Sequence, residues 1–143
     1  MVTKLDIMDI QYMNLFSMIT RVNPTDCFEY NMSIVFVVHP KFIRRAIGEG
    51  GENVKRISEK TRRKVKIIRA PSQEEPVEKS VERFILAIVH PIKFRRLVNN
   101  NGDIIIYAGP QSKASLLGRE SSRLIELRDI LKRYFDVKSL RVV

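Results

Sequence analysis

The chain has little of several residue types that carry chemistry or cross-link a fold. Of its 143 residues none is tryptophan, two are histidine and one is cysteine. The single Cys27 excludes an internal disulfide and suits a reducing compartment, where we expect it to be buried and inert. The longest apolar runs, 34–38 and 84–89, are far too short to span a bilayer, and the acidic N-terminus is unlike a signal peptide. We therefore expect a soluble, cytoplasmic protein without a role at a membrane.

The sequence also lacks a recognisable catalytic or metal-binding pattern. His39 and His90 each precede a proline and have no cysteine or carboxylate at ligand spacing, which favours packing roles. The glycine-rich segment 48–51 is not followed by the Gly-Lys-Ser/Thr of a phosphate loop. Asn53 stands where a dinucleotide-binding loop needs its third glycine. We predict that the protein is not an enzyme and that it has no catalytic residues, no metal and no cofactor.

Positive charge is abundant and evenly distributed along the chain. The net charge is +10 and the isoelectric point is about 10.0. Residues 1–70 carry 13 Lys and Arg against 7 Asp and Glu, and residues 71–143 carry 13 against 9. A basic surface of this extent favours a polyanionic partner that lies across both halves.

Two stretches of the chain repeat each other seventy positions apart. Each has an apolar run, a proline, a short segment and a glycine-marked loop. The matching positions are Pro40 with Pro110, Gly48 with Gly118, and Gly51 with Ser121. A period this long predicts two copies of one small domain. The predicted organisation is a first domain at 1–70, a polar, proline-bounded linker at 71–76 and a second domain at 77–143.

Apolar periodicity and turn residues predict the same element order in each copy, α-β-β-α-α-β, which is an α+β fold with a three-stranded sheet packed against helices. In the first copy the predicted elements are a helix over 5–19, strands at 27–30 and 33–38, helices over 42–47 and from 54, and a strand at 65–68. In the second they are a helix from 77, strands at 93–98 and 103–108, helices over 113–117 and 122–135, and a strand at 137–143. We assign six aromatic residues to the core: Tyr12, Phe16, Phe28, Phe36, Phe42 and Phe94. For Phe42 and Phe94 the alternative is an exposed platform on which a nucleic-acid base stacks.

The loop Gly48-Glu49-Gly50-Gly51 lies between two predicted helices. Without a Cβ, its glycines let another backbone approach closely. Amide groups at the start of the following helix would face a phosphate, helped by the helix dipole. Lys55 and Arg56 lie one turn further on and could reach neighbouring phosphates. The pattern therefore indicates contact with a nucleic-acid backbone.

The segment Ile47-Gly48-x-x-Gly51-x-x-Val54 resembles the signature of the KH domain, whose GXXG loop clamps about four nucleotides. The element order resembles the type II, prokaryotic form. Two such domains filling a chain of this length resemble the archaeal NusA-like transcription factors, and the stretch 46–56 is especially close. This resemblance implies single-stranded RNA as the partner, a nascent transcript as its source, and a role in pausing, termination or antitermination. RNA polymerase is a candidate partner, and we expect a monomer.

We predict RNA contacts around both loops. The predicted RNA-binding residues are Lys41, Arg44, Gly48, Glu49, Gly50, Gly51, Lys55, Arg56, Lys113, Gly118, Arg119, Glu120, Ser121 and Arg123, with Arg62 and Arg63 as further cations. The family usually has a basic residue in the middle of the loop, whereas here Glu49 and Gly50 occupy those positions. In the second copy Ser121 replaces the last glycine, and Ser121 or Ser122 would make a good helix cap. That loop is therefore either a second RNA contact or a retained structural turn.

Three other functions stay open at this point. A ribosome-associated or ribosome-assembly KH protein would bind ribosomal RNA. A module whose degenerate second copy has become a protein-docking surface would bind a polymerase or a ribosomal particle. An enzyme that uses the loop to bind a nucleotide is disfavoured by the missing acid–base residues.

Overall fold

A computed structural model of the chain describes residues 7–143, and the backbone divides into two compact units between Ala70 and Pro71. Within that range no helix combines the length and the apolar character that a membrane span requires. The predicted beginning of the first helix at Leu5 lies outside the described residues.

The first unit has the predicted order of elements. They are α1 Ile7–Thr20, β1 Asp26–Tyr30, β2 Ser33–Val38, α2 Ile43–Ile47, α3 Glu52–Thr61 and β3 Val65–Arg69, with 3₁₀ turns at Pro40–Phe42 and Glu49–Gly51. The sheet order is β1-β2-β3, with β2 antiparallel to β1 and parallel to β3. The parallel pair requires a crossover connection, and α2, the loop and α3 supply it.

The core of this unit lies between the sheet and its helices. Phe16 of α1 stacks on Phe36 of β2 with ring centroids 4.5 Å apart, and both side chains are fully buried. Ile34 and Ile57 are buried beside them, as is Cys27, as expected for an inert thiol. Every residue of β2 is buried, which explains its unbroken apolar sequence.

The second unit repeats the architecture. Its elements are α4 Val77–Val89, β4 Arg96–Asn100, β5 Asp103–Tyr107, α5 Pro110–Leu117, α6 Ser122–Tyr134 and β6 Ser139–Val142, with a 3₁₀ turn at Arg119–Ser121. The sheet order is β4-β5-β6, with β5 antiparallel to β4 and parallel to β6. The predicted α+β fold, with one three-stranded sheet and three helices in each copy, is confirmed.

Three predicted boundaries in the second unit were wrong. The strand predicted at 93–98 runs over Arg96–Asn100, because the two-residue Asn101-Gly102 turn pairs Asn100 with Asp103 and sets the register. The helix predicted from residue 113 begins at Pro110, because a proline suits the first helical position. The last strand covers only Ser139–Val142.

The core assignment of the aromatic residues was correct for Phe16, Phe28 and Phe36 and wrong for Phe42. Phe16, Phe28 and Phe36 are buried, whereas Tyr12 and Phe94 are partly buried. Phe42 is 39% exposed at the end of its 3₁₀ turn. The turn shifts the short helix to begin at Ile43, and it is Ile43 that points into the core.

The two β-hairpins use the same turn with different residues. Both central residues have positive φ: Asn31 (49°) and Met32 (64°) in the first unit, Asn101 (53°) and Gly102 (97°) in the second. Such type I′ turns strongly favour Asn-Gly, because glycine adopts positive φ without steric cost. Met32 is therefore in an unfavourable conformation.

Replacing Met32 by glycine should stabilise the first unit. The substitution relieves the left-handed strain and removes a side chain that is 78% exposed, so little packing is lost. We expect the free energy of unfolding to rise by about 0.5–1 kcal/mol, measured by urea denaturation. The matched variant Gly102→Ala should destabilise instead, because a Cβ there would lie 2.7 Å from the Asp136 carbonyl oxygen. A loss of stability in Met32→Gly would contradict this account of the turn.

Candidate nucleic-acid interface

The first glycine of the first loop has a backbone that no other residue adopts readily. Gly48 ends α2 with φ 80° and ψ 167°, a region essentially restricted to glycine. A Cβ at this position would lie 3.0 Å from Cγ and Nδ2 of Asn53. The same amide nitrogen of Asn53 donates to the Arg45 carbonyl at 3.2 Å, which ties α3 to the end of α2. Gly48 therefore sets the angle at which α3 leaves the loop.

The rest of this loop presents bare backbone. Gly50 (φ 64°) and Gly51 (φ 75°) are left-handed, and a Cβ on either would meet nothing within 4 Å. The Gly51 N–H donates to the Gly48 carbonyl at 3.2 Å, and the Glu52 N–H donates to the Glu49 carbonyl. The expectation that the first helical amides are available to a phosphate is thus wrong for these two. What the loop offers is close approach of another backbone.

The second loop keeps this shape without two of the glycines. Gly118 has φ 71° and ψ −178°, and a Cβ there would lie 2.5 Å from Cγ of Arg123. Glu120 (φ 55°) and Ser121 (φ 61°) occupy the left-handed positions, at an expected strain of about 1–2 kcal/mol each. The predicted serine cap is absent: Ser121 is the N-cap of α6 but its side chain makes no capping hydrogen bond. A capping side chain normally comes from an extended residue, and Ser121 is left-handed.

Cations are concentrated around the first loop. Segment 41–56 holds five Lys and Arg against two Glu, a net charge of +3, and all five basic side chains belong to exposed residues. They are the predicted Lys41, Arg44, Lys55 and Arg56, and Arg45, which was not predicted. The equivalent segment 111–126 holds three basic against two acidic residues, a net charge of +1.

The basic residues predicted around the second loop differ in availability. Lys113 and Arg119 are exposed. Arg123 instead forms an ion pair with Glu126 at 2.7 Å, on the same face of α6. Glu126 stands seventy positions after Arg56, so the second copy has an acid that pairs with Arg123 where the first copy has an exposed cation.

A groove of about 500 Å³ runs between α3 and β3 in the first unit. Its lining combines aliphatic, hydroxyl and basic side chains, with one acid: Ser33, Val54, Lys55, Ser58, Glu59, Lys64, Val65 and Lys66. Val54 and Lys55 belong to the first turn of α3, so the groove begins beside the loop. Because β3 is an edge strand, the groove is bordered by a sheet edge without a neighbouring strand.

The β3 contribution to this groove was missed by the sequence prediction. Lys64 and Lys66 flank Val65, which packs against the core. Burial lowers the pKa of Lys66 below its ordinary value, so its ammonium group is only partly hydrated. The available signal was the alternation of lysine with apolar residues directly after a basic helix, which places two cations at one strand.

The equivalent surface of the second unit is more acidic. Asp103 stands seventy positions after Ser33 and accepts a hydrogen bond from the Ser139 hydroxyl at 2.8 Å. Arg128 and Asp129 form an ion pair at 3.4 Å on α6. The Arg128 charge is thus compensated by Asp129, whereas Asp103 keeps its negative charge, so this surface is less basic than the first.

Arg63, predicted as a further cation for RNA, makes contacts within the first unit. Its Nη1 pairs with Glu29 at 2.6 Å, and its Nη2 donates to the Met32 carbonyl at 2.9 Å. The hydrogen bond to Glu29 is the main reason that the pKa of Arg63 is raised. Arg63 therefore joins the end of α3 to the β1–β2 hairpin, and of the two neighbouring arginines only Arg62 is exposed.

Metal chemistry has no support in the part of the chain that the structure describes. No group of three or more histidine, cysteine or acidic residues among residues 7–143 could hold an ion. His39 has a local role there: its Nδ1 accepts a hydrogen bond from the Lys41 N–H at 3.1 Å.

Comparison with known proteins agrees with this geometry. Residues 33–86 match the KH domain, a segment that includes β2, the first loop, α3 and β3. The chain is thus a KH-domain protein. It is 31% identical to a protein of Methanococcus vannielii named probable transcription termination protein NusA, over 98% of this chain and 79% of that one. The chain belongs to the NusA-like family of KH proteins.

Two further similarities extend over most of the chain. A protein of Thermoplasma acidophilum with the same name is 25% identical over 90% of this chain and 87% of its own. A crystal structure of the protein APE1850 superposes with a TM-score of 0.62 at 22% identity, covering 97% of this chain and all of that one. At that identity the superposition shows a shared fold.

The two ends of the first loop should tolerate substitution differently. Gly48→Ala combines a glycine-only backbone with a clash against Asn53, and we expect it to cost about 2 kcal/mol or more. Gly51→Ser should cost about 1 kcal/mol, because the space is open and Ser121 already adopts this conformation. Urea denaturation of both variants measures the difference. Equal losses of stability in the two variants would show that the contact with Asn53 is not the reason that position 48 requires glycine.

Proposed function

We propose that the protein is a non-enzymatic factor that binds single-stranded RNA, in particular nascent transcripts during transcription. One observation carries the proposal: in the first unit an open glycine loop, a surface of net charge +3 and a groove of about 500 Å³ adjoin one another. The loop can contact the RNA backbone, the positive charge can bind the phosphates, and the groove can hold unpaired bases.

In this proposal the sugar–phosphate backbone passes over Gly50 and Gly51, where no side chain prevents close approach. Exposed cations on both sides, Arg44 before the loop and Lys55 after it, neutralise phosphates.

The bases enter the groove, where Lys55, Lys64 and Lys66 offer hydrogen-bond donors. The Ser58 hydroxyl donates to the Arg63 carbonyl at 2.7 Å, so toward a base it can act as an acceptor. Duplex RNA is a poorer ligand, because its base edges are already paired and its major groove is too narrow for side chains.

The first unit supplies most of the affinity in this proposal. The second loop has the same backbone shape, but its surface has a lower net charge and Arg123 is paired. Lys113 and Arg119 remain for a phosphate, so the second loop is an auxiliary contact.

The relatives' printed name supports placing this binding in transcription termination, with antitermination or pausing as related outcomes of holding a nascent transcript. RNA polymerase is then the expected protein partner. One observation favours a docking role for the second copy: Ile125, 44% exposed, and Glu126 stand where the first copy has Lys55 and Arg56. An exposed apolar residue beside an acid is better suited to contact a protein surface than a phosphate.

Binding to single-stranded RNA should weaken steeply with salt. Each neutralised phosphate contributes a slope of about −0.7 to the logarithm of affinity against the logarithm of salt concentration. We expect a total slope of about −2 to −4, for three to five contacts, in filter-binding titrations with an unstructured oligonucleotide. Duplex RNA of the same length serves as the comparison. A flat dependence, or tighter binding to duplex, would refute the proposal.

Acidic substitutions should affect the first loop more than the second. The double variant Glu49→Asp with Gly50→Asp should stay folded, because Gly48 and Gly51 remain and Glu120 already adopts the conformation of Gly50. The charge added at position 50 should weaken RNA binding about ten-fold or more, equivalent to about 1.4 kcal/mol.

The matched variant in the second copy is Arg119→Asp, with a smaller expected loss. Circular dichroism confirms folding, and titration with the same RNA compares the two. If Arg119→Asp loses more affinity while both variants stay folded, the second loop is the main contact.

A further inference from the structure

Met32 is an exposed apolar residue in a conformation that disfavours it. Its side chain is 78% exposed, and its φ of 64° places a non-glycine residue at the turn position where the second unit has Gly102. Glycine here would relieve strain, and no core contact needs the methionine. A strained residue of this kind marks a position where another property of the side chain matters.

The backbone carbonyl of Met32 is held by a side-chain hydrogen bond from Arg63. Arg63 donates to the Met32 carbonyl at 2.9 Å and pairs with Glu29 at 2.6 Å, so one guanidinium fixes the hairpin and the end of α3. The backbone that carries the thioether is therefore tied to the rest of the unit, whereas a hairpin tip is ordinarily mobile.

Met32 also lies next to the end of the groove that is remote from the loop. Ser33, the next residue, lines the groove together with Lys64, the residue after Arg63. The helix α3 has ten residues and is about 15 Å long, with the loop at its first turn and Arg62 at its end. Arg62 and Lys64 are exposed cations at this end, suited to further phosphates.

We propose that Met32 is a stacking subsite for one RNA base beyond those held by the loop and groove. The inference rests on the proposed function. A strand that leaves the groove passes Arg62 and Lys64 and places its next base against the thioether. Methionine sulfur makes favourable contacts with aromatic rings, and every base offers a π-face, so this contact is tolerant of sequence. Gly102 is buried and has no side chain, so the second unit has no equivalent subsite.

Met32→Gly tests the subsite, because stability and affinity should move in opposite directions. The thermal midpoint should rise, whereas affinity for an unstructured octanucleotide should fall about three- to ten-fold. Affinity for a tetranucleotide, long enough only for the loop and groove, should not change. Met18→Ala is the matched control, since Met18 is also 78% exposed but lies on α1. It should leave both affinities unchanged.

A second measurement follows the methionine directly. With peroxide, the octanucleotide should protect Met32 from oxidation to the sulfoxide and leave Met18 reactive, as read by peptide mass spectrometry. Unchanged octanucleotide binding by Met32→Gly, or equal loss for both lengths, would overturn the subsite and leave the proposed function standing. Full oxidation of Met32 in the RNA-bound protein would also overturn the subsite without affecting the proposed function. If the unmodified protein binds neither oligonucleotide, the proposed function and the subsite fail together.

Discussion

The architecture depends on one backbone conformation that recurs at the same position of both units. Gly48 and Gly118 both end a short helix with positive φ and ψ near 180°, and a Cβ would lie 3.0 Å from Asn53 in the first and 2.5 Å from Arg123 in the second, each five positions on. This geometry turns the chain from α2 into α3 and from α5 into α6. The crossover that results lets the following strand join the sheet in parallel. The same geometry makes the loop project, so the fold and the candidate site have a common physical cause.

The loop's other glycine positions follow a different rule. Left-handed backbone at Gly50 and Gly51 recurs at Glu120 and Ser121, so side chains are tolerated there at a cost in strain. What glycine adds in the first unit is open space above the backbone. The two loops therefore share their shape, and they differ in how closely another chain can approach and in the charge around them.

Charge separates the two units more than shape does. In the first, the basic residues beside the loop are exposed, and Lys64 and Lys66, at the start of β3, extend the basic surface along the groove. In the second, Arg123 pairs with Glu126, and Arg128 pairs with Asp129. An arginine paired at 2.7 Å attracts a phosphate less than a free one, because the incoming anion must compete with a carboxylate already in place.

The amino-acid sequence by itself determined the repeat, the α-β-β-α-α-β order and the position of both loops, because proline, glycine and apolar periodicity act locally. It also placed Lys41, Arg44, Lys55 and Arg56 near the first loop, since they are close to it in the chain. Only the tertiary structure decided which cations are available. Arg63 meets Glu29, 34 positions away, across the hairpin, and Lys66 reaches the groove through strand pairing. The alternation of lysine with apolar residues at 64–67 indicates cations at this strand, but the groove that they line and the ion pair of Arg63 depend on packing between residues distant in the chain.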